Sequence, residues 1–198
     1  MAVGDGVGEA ALDALFGTHT AHGWLDRPVP RGLIRRMVDL AGMGPTAFNQ
    51  QPLRLILVDS AGAKARLSPA LSGANRAKTM AAPVTAILCH DRGFWRHLPE
   101  VWPAQDVRGY FDGQPQAAAE SARRNGTLQA GYLIMAARAL GLGAGPMSGF
   151  DRAKVAAAFT ADRQEWEVDM LVNIGWADPA AFRPRNPRLG FDRMAAFV

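Results

Sequence analysis

Residues 117–140 form an alanine-rich stretch in which Leu128, Tyr132, Leu133, Met135, Ala136 and Leu140 leave little of a helix's circumference for water. A helix that is apolar on more than one side has to be covered on more than one side. The stretch therefore predicts either the central helix of a layered domain or a surface shared by two copies. Three short apolar runs accompany it, at 53–58, 83–89 and 168–174, the last closed by Gly175. Their length and β-branched content predict buried strands. Helical spacing recurs at 30–43, where Leu33, Ile34, Met37, Val38 and Ala41 share a face, at 61–71, and from Asp151, a predicted N-cap, to Phe159. Strands alternating with helices point to an α/β or α+β sheet with helical cover. No repeat or linker divides residues 1–198, which read as a single domain with a flexible lead-in over 1–10.

The bulk composition narrows the class. A chain of 198 residues with 48% hydrophobic and 20% charged side chains is that of a soluble globular protein. No apolar run approaches the span of a bilayer, and residues 1–10 lack the basic and apolar segments of a secretory signal, so a cytoplasmic protein without membrane attachment is expected. The single Cys89 excludes an internal disulfide framework and reads as a small buried residue. The net charge of +4 is dispersed and no nucleic-acid motif appears, so a small anionic ligand or substrate explains the excess without nucleic acid.

Several chemical readings lack support. His90, Asp91 and His97, or His19 and His22, do not have the spacing of a known metal site. Neither a Gly-x-Ser-x-Gly elbow nor a phosphate loop with Lys-Ser/Thr is present, which removes the usual local basis for hydrolases and phosphotransferases. The glycines at 141, 143 and 145 follow a helix instead of opening one, against a dinucleotide fingerprint. Gly141 is expected to end that helix in a left-handed conformation, and 146–150 to form a tight polar loop whose N–H groups could serve a ligand.

Three features remain. Residues 44–52, Gly-Pro-Thr-Ala-Phe-Asn-Gln-Gln-Pro, place uncharged hydrogen-bonding side chains between two prolines, a geometry suited to a flat heteroaromatic edge. Asn75 and Lys78 lie three apart, on one helical face. Residues 91–116 interleave Phe94, Trp95, Trp102, Tyr110 and Phe111 with prolines and charges, as either a lid or an aromatic cluster under an ordinary excursion.

Taken in order, His19-Thr20-Ala21-His22-Gly23-Trp24, Pro45-Thr46-x-x-Asn49-x-Gln51-Pro52, Asn75-x-x-Lys78, residues 145–150 and Arg183-x-Arg185-x-Pro187 resemble the FMN-dependent nitroreductase family, from about Leu12 to the C-terminus. The segment 71–79, the loop 145–151 and the aromatic insertion look most like its malonic-semialdehyde-reductase branch, the pyrimidine-utilisation enzyme E group. The resemblance implies an α+β nitroreductase-like fold, with a mostly antiparallel sheet flanked by helices. It also implies an intertwined homodimer with FMN sites built from both subunits, and NADH or NADPH as reductant in alternating hydride transfers through flavin N5. No side chain is then needed as acid or base, since the flavin carries the chemistry.

By the same resemblance Pro45, Thr46, Ala47 and Asn49 border the flavin ring and ribityl chain. Asn75 meets its pyrimidine edge, the backbone around Ser148 and Gly149 approaches N5 and O4, Arg183 and Arg185 take the phosphate, and Lys78, Pro146 and Met147 belong to the same cofactor-binding set. At the N-terminal phosphate clamp the family commonly has basic residues, whereas this chain offers His19, Thr20 and His22, so FMN is expected to loosen as pH rises through the histidine range. Arg108 and Arg124 are the candidate anchors for an acidic semialdehyde. A broad nitro- or quinone-reductase is the alternative.

Overall fold

The computed structural model describes residues 6–198. In chain order the helices are α1 (Glu9–Leu12), α2 (Arg31–Gly42), α3 (Ala61–Leu67), α4 (Gly73–Ala81), α5 (Leu98–Val101), α6 (Pro115–Ala139), α7 (Arg152–Phe159) and α8 (Phe191–Met194). The strands are β1 (Leu53–Val58), β2 (Val84–Asp91), β3 (Gly143–Met147) and β4 (Trp166–Gly175). They form one sheet in the order β1-β2-β4-β3, antiparallel at every pairing.

The sheet has two covered faces because successive strand side chains point to opposite sides. On β2, Val84, Ala86 and Leu88 meet Ile34, Met37 and Ala41 of α2 and Leu133 and Ala137 of α6. From the other face, Ile87 and Cys89 join Leu171 of β4, Leu67 of α3 and Val155 of α7. β2 is buried throughout, as a continuous apolar run in a central strand should be. Cys89 is 1% exposed and burial pushes its thiol up to about 12, so it is inert packing.

Three expectations are corrected. Residues 53–58 are a strand but not a buried one, since β1 lies at an edge of the sheet and Leu57 is 39% exposed. β3 was not apparent in the sequence: Pro146 lacks an N–H for a central ladder, but β3 is the other edge, where proline is tolerated. Pro146 and Met147 are therefore strand residues, and only the stretch after them is a turn. In α6 the expected double cover is absent from this chain. One stripe, including Ala122, Gly126, Ala130, Leu133 and Ala137, is buried, while Leu128 on another side is 46% exposed. Of the lead-in at 1–10, residues 1–5 lie outside the described residues, and Glu9 and Ala10 open α1.

The 91–116 segment resolves into short helical turns. Phe94, Leu98, Val107 and Phe111 bury themselves against Ala118 and Ala122 of α6, an aromatic satellite cluster. Gly141 ends the α6 region with φ of 75°. Asp151 caps α7 by accepting from the Lys154 N–H at 3.0 Å. Among the described residues no helix is long and apolar enough to cross a membrane.

Candidate functional site

At the β3 edge the chain before α2 is drawn against the sheet. The Ala21 N–H donates to the Ala144 carbonyl at 3.0 Å, and the Trp24 indole Nε1 donates to the Lys78 carbonyl at 3.1 Å. Glycine is required for this approach: a Cβ on Gly145 would sit 2.9 Å from the Ala21 carbonyl oxygen, and one on Gly175 2.9 Å from the Trp24 ring. The C-terminal segment closes the other side. The His19 ring nitrogen Nε2 lies 2.7 Å from the Arg183 carbonyl, and Arg185 Nη2 donates to the carbonyls of Phe16 and Thr18, each at 2.7 Å.

A cavity of about 370 Å³ results, lined by His19, Thr20, His22, Arg183, Arg185 and Arg188 with Pro184 and Asn186. No carboxylate lines it. His22 Nδ1 is buried without a partner, and its pKa is lowered, first by burial and then by Lys78, Arg183 and His19. The cations that would draw a phosphate thus disfavour the charged form of His22. A buried ring nitrogen without a partner, on a residue that lines a cavity bounded by arginines, is suited to an anion with acceptor and donor oxygens.

Beside this cavity, α4 meets the turn after β3. Asn75 Nδ2 donates to the Gly149 carbonyl at 3.0 Å, and a Cβ on Gly149 would lie 2.7 Å from that nitrogen. Leu71 bridges Phe150, and the Asp151 N–H donates to the Ala70 carbonyl at 2.8 Å. Asn75, Lys78, Met147 and Gly149 thus share one corner of the molecule with His19, Thr20, His22, Arg183 and Arg185, and Pro146 and Ser148 lie exposed beside them.

The loop over 44–52 occupies a different corner. Phe48, Asn49 and Gln51 hold positive φ values of 50°, 50° and 40°, a costly conformation that persists only where surrounding contacts over-determine it. Those contacts come mainly from α6. The Ala47 N–H donates to Asn125 Oδ1 at 2.9 Å, the buried Gln50 pairs with Ser121, and Tyr132 Oη donates to the Pro45 carbonyl at 3.1 Å. Within the loop the Gln51 N–H donates to Thr46 Oγ1, and Asn49 Nδ2 reaches the Val101 carbonyl. Asn125 and Gln129 were missed in the sequence. Two carboxamides one turn apart on an otherwise alanine-lined stripe were the available signal.

The two corners are diagonal. Leu53, which follows the loop, pairs with His90 and so with the Glu167 end of β4, whereas Gly145 pairs with Asn173. The offset is three strand spacings, roughly 14 Å across the sheet, and six residues, roughly 20 Å along it. The residues singled out from the sequence are thus brought together in two groups, not one.

Arg108 and Arg124 join neither group. Both are exposed, Arg108 paired with Asp106 at 2.7 Å and Arg124 with Glu120 one turn away. Hydrogen bonds from Arg108 pull the Asp106 carboxyl down to about 2. Among the described residues no group of His, Cys, Asp and Glu side chains could hold a metal.

Comparison with known proteins places this geometry. Residues 19–176 match the model described as the nitroreductase family. A relative from Xanthomonas oryzae pv. oryzae is 52% identical over 98% of each chain, and one from Stenotrophomonas maltophilia is 53% identical over 94% of this chain and 95% of its own. Both are provisionally named NADH dehydrogenase/NAD(P)H nitroreductase. The fold is shared with a nitroreductase family protein of Streptococcus pneumoniae, at a TM-score of 0.78 and 21% identity over 94% of this chain and 99% of that one. It is shared too with a protein from Exiguobacterium sibiricum solved in complex with FMN, at a TM-score of 0.81 and 20% identity over 94% and 96% of the two chains. With the family match spanning the β3-edge cavity's N-terminal wall, the amide loop and the whole sheet, the chain belongs to the nitroreductase family.

Proposed function

We propose that this protein is a homodimeric NAD(P)H-dependent oxidoreductase that seats FMN between the phosphate-binding corner of one subunit and the amide-bearing loop of the other. The observation that carries the reading is the cationic cavity at the β3 edge, with its orphan His22 nitrogen and no acidic lining. The donor set fits FMN. The Arg183 and Arg185 forks match phosphate oxygens, Asn75 offers a carboxamide to a pyrimidine edge, and Gly145 and Gly149 let the Ala21 segment and Asn75 close in to form the site's walls. FMN, when bound, supplies two-electron chemistry, taking hydride from NADH or NADPH and giving it to an acceptor.

The second copy answers several open surfaces at once. The diagonal separation of the two groups of implied contacts exceeds what one riboflavin phosphate spans. β1 presents an unpaired edge, flanked by an apolar groove of about 450 Å³ lined in part by Val29, Ile34, Val38 and Leu57. The C-terminal arm carries Phe191, Met194 and Phe197, the last 93% exposed. Leu128 leaves the second apolar side of α6 open. Unpaired edges and apolar surfaces of this kind are normally covered.

Binding should be linked to His22. A phosphate entering the cavity offsets the repulsion from Lys78, Arg183 and His19 and gives the ring a partner, so the His22 pKa rises on binding. Affinity therefore increases as pH falls through the bound-state pKa, and the gain levels off once the empty site is protonated too, below the ordinary value of 6.5. FMN titrations from pH 8 to 5.5 are expected to tighten more in the native protein than in His22→Gln. Parallel profiles would remove His22 from the linkage.

For the acceptor, the exposed aromatic group formed by Phe48, Tyr110 and Trp102 supports flat compounds. Phe48 and Tyr110 stack at 5.8 Å, with Trp102 edge-on at 6.1 Å. We therefore favour a broad nitroarene and quinone reductase. Reduction of malonic semialdehyde (3-oxopropanoate) to 3-hydroxypropanoate is the second reading, favoured by the segments 71–79 and 145–151. Arg108 and Arg124, its candidate anchors, are each paired with a carboxylate that the substrate would have to displace. Turnover of a benzoquinone, a nitroarene and 3-oxopropanoate with one reductant decides. At least tenfold higher kcat/KM for the quinone is expected, and the reverse order would assign the semialdehyde.

A further inference from the structure

Beneath the site lies a buried lysine that the function so far does not use. Lys64 of α3 is 6% exposed, and among the described residues no carboxylate pairs with it. Its ammonium instead donates to the Thr79 carbonyl at 2.6 Å, the Ala82 carbonyl at 2.8 Å and Thr85 Oγ1 at 2.9 Å, so all three N–H bonds are used. The two carbonyls belong to the C-terminal end of α4, where the helix dipole favours a positive charge. Burial lowers the Lys64 pKa to about 8, and nothing compensates except these acceptors. An uncompensated buried ammonium is expensive and persists only where its partners are rigidly supplied.

The hydrogen bonds do not stop at Thr85. Its hydroxyl donates to Asn173 Oδ1 at 2.8 Å, Asn173 Nδ2 donates to Thr79 Oγ1 at 3.2 Å, and that hydroxyl points to Met147 Sδ at 3.6 Å. Thr79, Thr85 and Asn173 are each at most 1% exposed. One dry network thus ties α3 to α4, to two central strands and to the last residue of β3. Its two ends are the elements that bear Asn75, on α4, and Ser148 and Gly149, just after Met147.

We propose that Lys64 is a positioning residue for the cofactor site: by holding the C-terminal end of α4 and, through Thr85, Asn173 and Thr79, the end of β3, it sets how Asn75 is seated against the 147–149 turn, the pair of elements that the flavin meets. The inference rests on the proposed FMN site. Its effect is on geometry and is transmitted through Asn75.

FMN dissociation constants, read by flavin fluorescence on the full-length protein, test it for the native chain, Lys64→Met, Asn75→Ala and the double variant. Lys64→Met is expected to raise the constant at least tenfold. The double variant should be little worse than the weaker-binding single variant, because both remove one action. Val107→Ala, a core truncation in the separate cluster of Phe94, Leu98 and Phe111, should lower the melting temperature while leaving FMN affinity unchanged. Should Lys64→Met not fold, Thr79→Val, which keeps the carbonyl that Lys64 uses, is expected to show the same non-additivity with Asn75→Ala. Native FMN affinity in Lys64→Met, or effects that multiply with those of Asn75→Ala, would overturn the proposal. Hydrogen exchange on the flavin-free protein separates the two levels, since Lys64→Met should lose protection over 73–82 and 147–150 ahead of β4. If the native chain failed to take FMN, the function would fall while this measurement still decided the role of Lys64. Uniform loss of protection would reject that role.

Discussion

Replacing Arg183 and Arg185 together with alanine is expected to weaken FMN binding by on the order of 10²–10³-fold with the sheet intact. A hydrogen bond to a charged group is worth about 1.5–3 kcal/mol, and two such losses in a partly open cavity fall toward the lower end of their sum, with each 1.4 kcal/mol a factor of ten. The two arginines do different things. Arg185 already bridges the Phe16 and Thr18 carbonyls, so its loss also frees the N-terminal wall, whereas the Arg183 main chain holds His19. Arg185→Lys should recover only part of the affinity, because one ammonium cannot serve two carbonyls and a phosphate in the fork geometry. Arg188→Ala is the internal control. Its guanidinium turns back to the carbonyls of Asn186 and Pro187, and a change of a few-fold at most is expected. Equal losses in all three single alanine variants would mean that the cavity acts only through its overall charge.

The second large effect is steric. Gly145→Val places a branched side chain where even a Cβ would lie 2.9 Å from the Ala21 carbonyl oxygen and 3.5 Å from the Trp24 ring. Neither neighbour can yield cheaply: Ala21 is bonded to Ala144, and Trp24 is tied to Lys78. The segment carrying His19, Thr20 and His22 must therefore leave the β3 edge. Overpacking of this kind costs about 1–3 kcal/mol, so the melting temperature should drop by several degrees. FMN affinity should fall at least tenfold beyond what that instability accounts for, because the phosphate cavity opens. Gly32→Ala is the matching control: nothing lies within 4 Å of a Cβ there, in the first turn of α2, and a neutral or slightly stabilising outcome is expected. A Gly145→Val protein that melts lower but binds FMN normally would show that the β3-edge approach is structural only.

Helices α2, α3, α6 and α7 and three of the four strands could be read in the sequence because each shows its period or its cap locally: Leu33, Ile34, Met37 and Ala41 along α2, the unbroken apolar run of β2, Asp151 before α7. β3 could not, since Gly-Ala-Gly-Pro-Met has no strand signature and becomes a strand through its pairing with β4. The same limit applied to the site. Arg183 and Arg185 lie far from His19 in sequence, and only the shared family pattern linked them, whereas the partners of Gln50, of Asn125 and of Lys64 lie on segments distant in the chain, at Ser121, Ala47 and Thr79 to Thr85. Arg108 and Arg124 show the same limit: each is held in an exposed ion pair with an acidic residue two or four positions away, at Asp106 and Glu120, which the sequence places nearby without showing the contact.

Size-exclusion chromatography of the purified protein supplied with FMN, monitored by visible absorbance before and after anaerobic addition of NADH or NADPH, tests the two-copy flavin site most directly. The expected result is flavin absorbance eluting with a species of twice the 21.2 kDa chain mass and bleaching when the reduced nicotinamide is added. A protein that elutes colourless, or that carries a full complement of reducible flavin as a monomer, would contradict it.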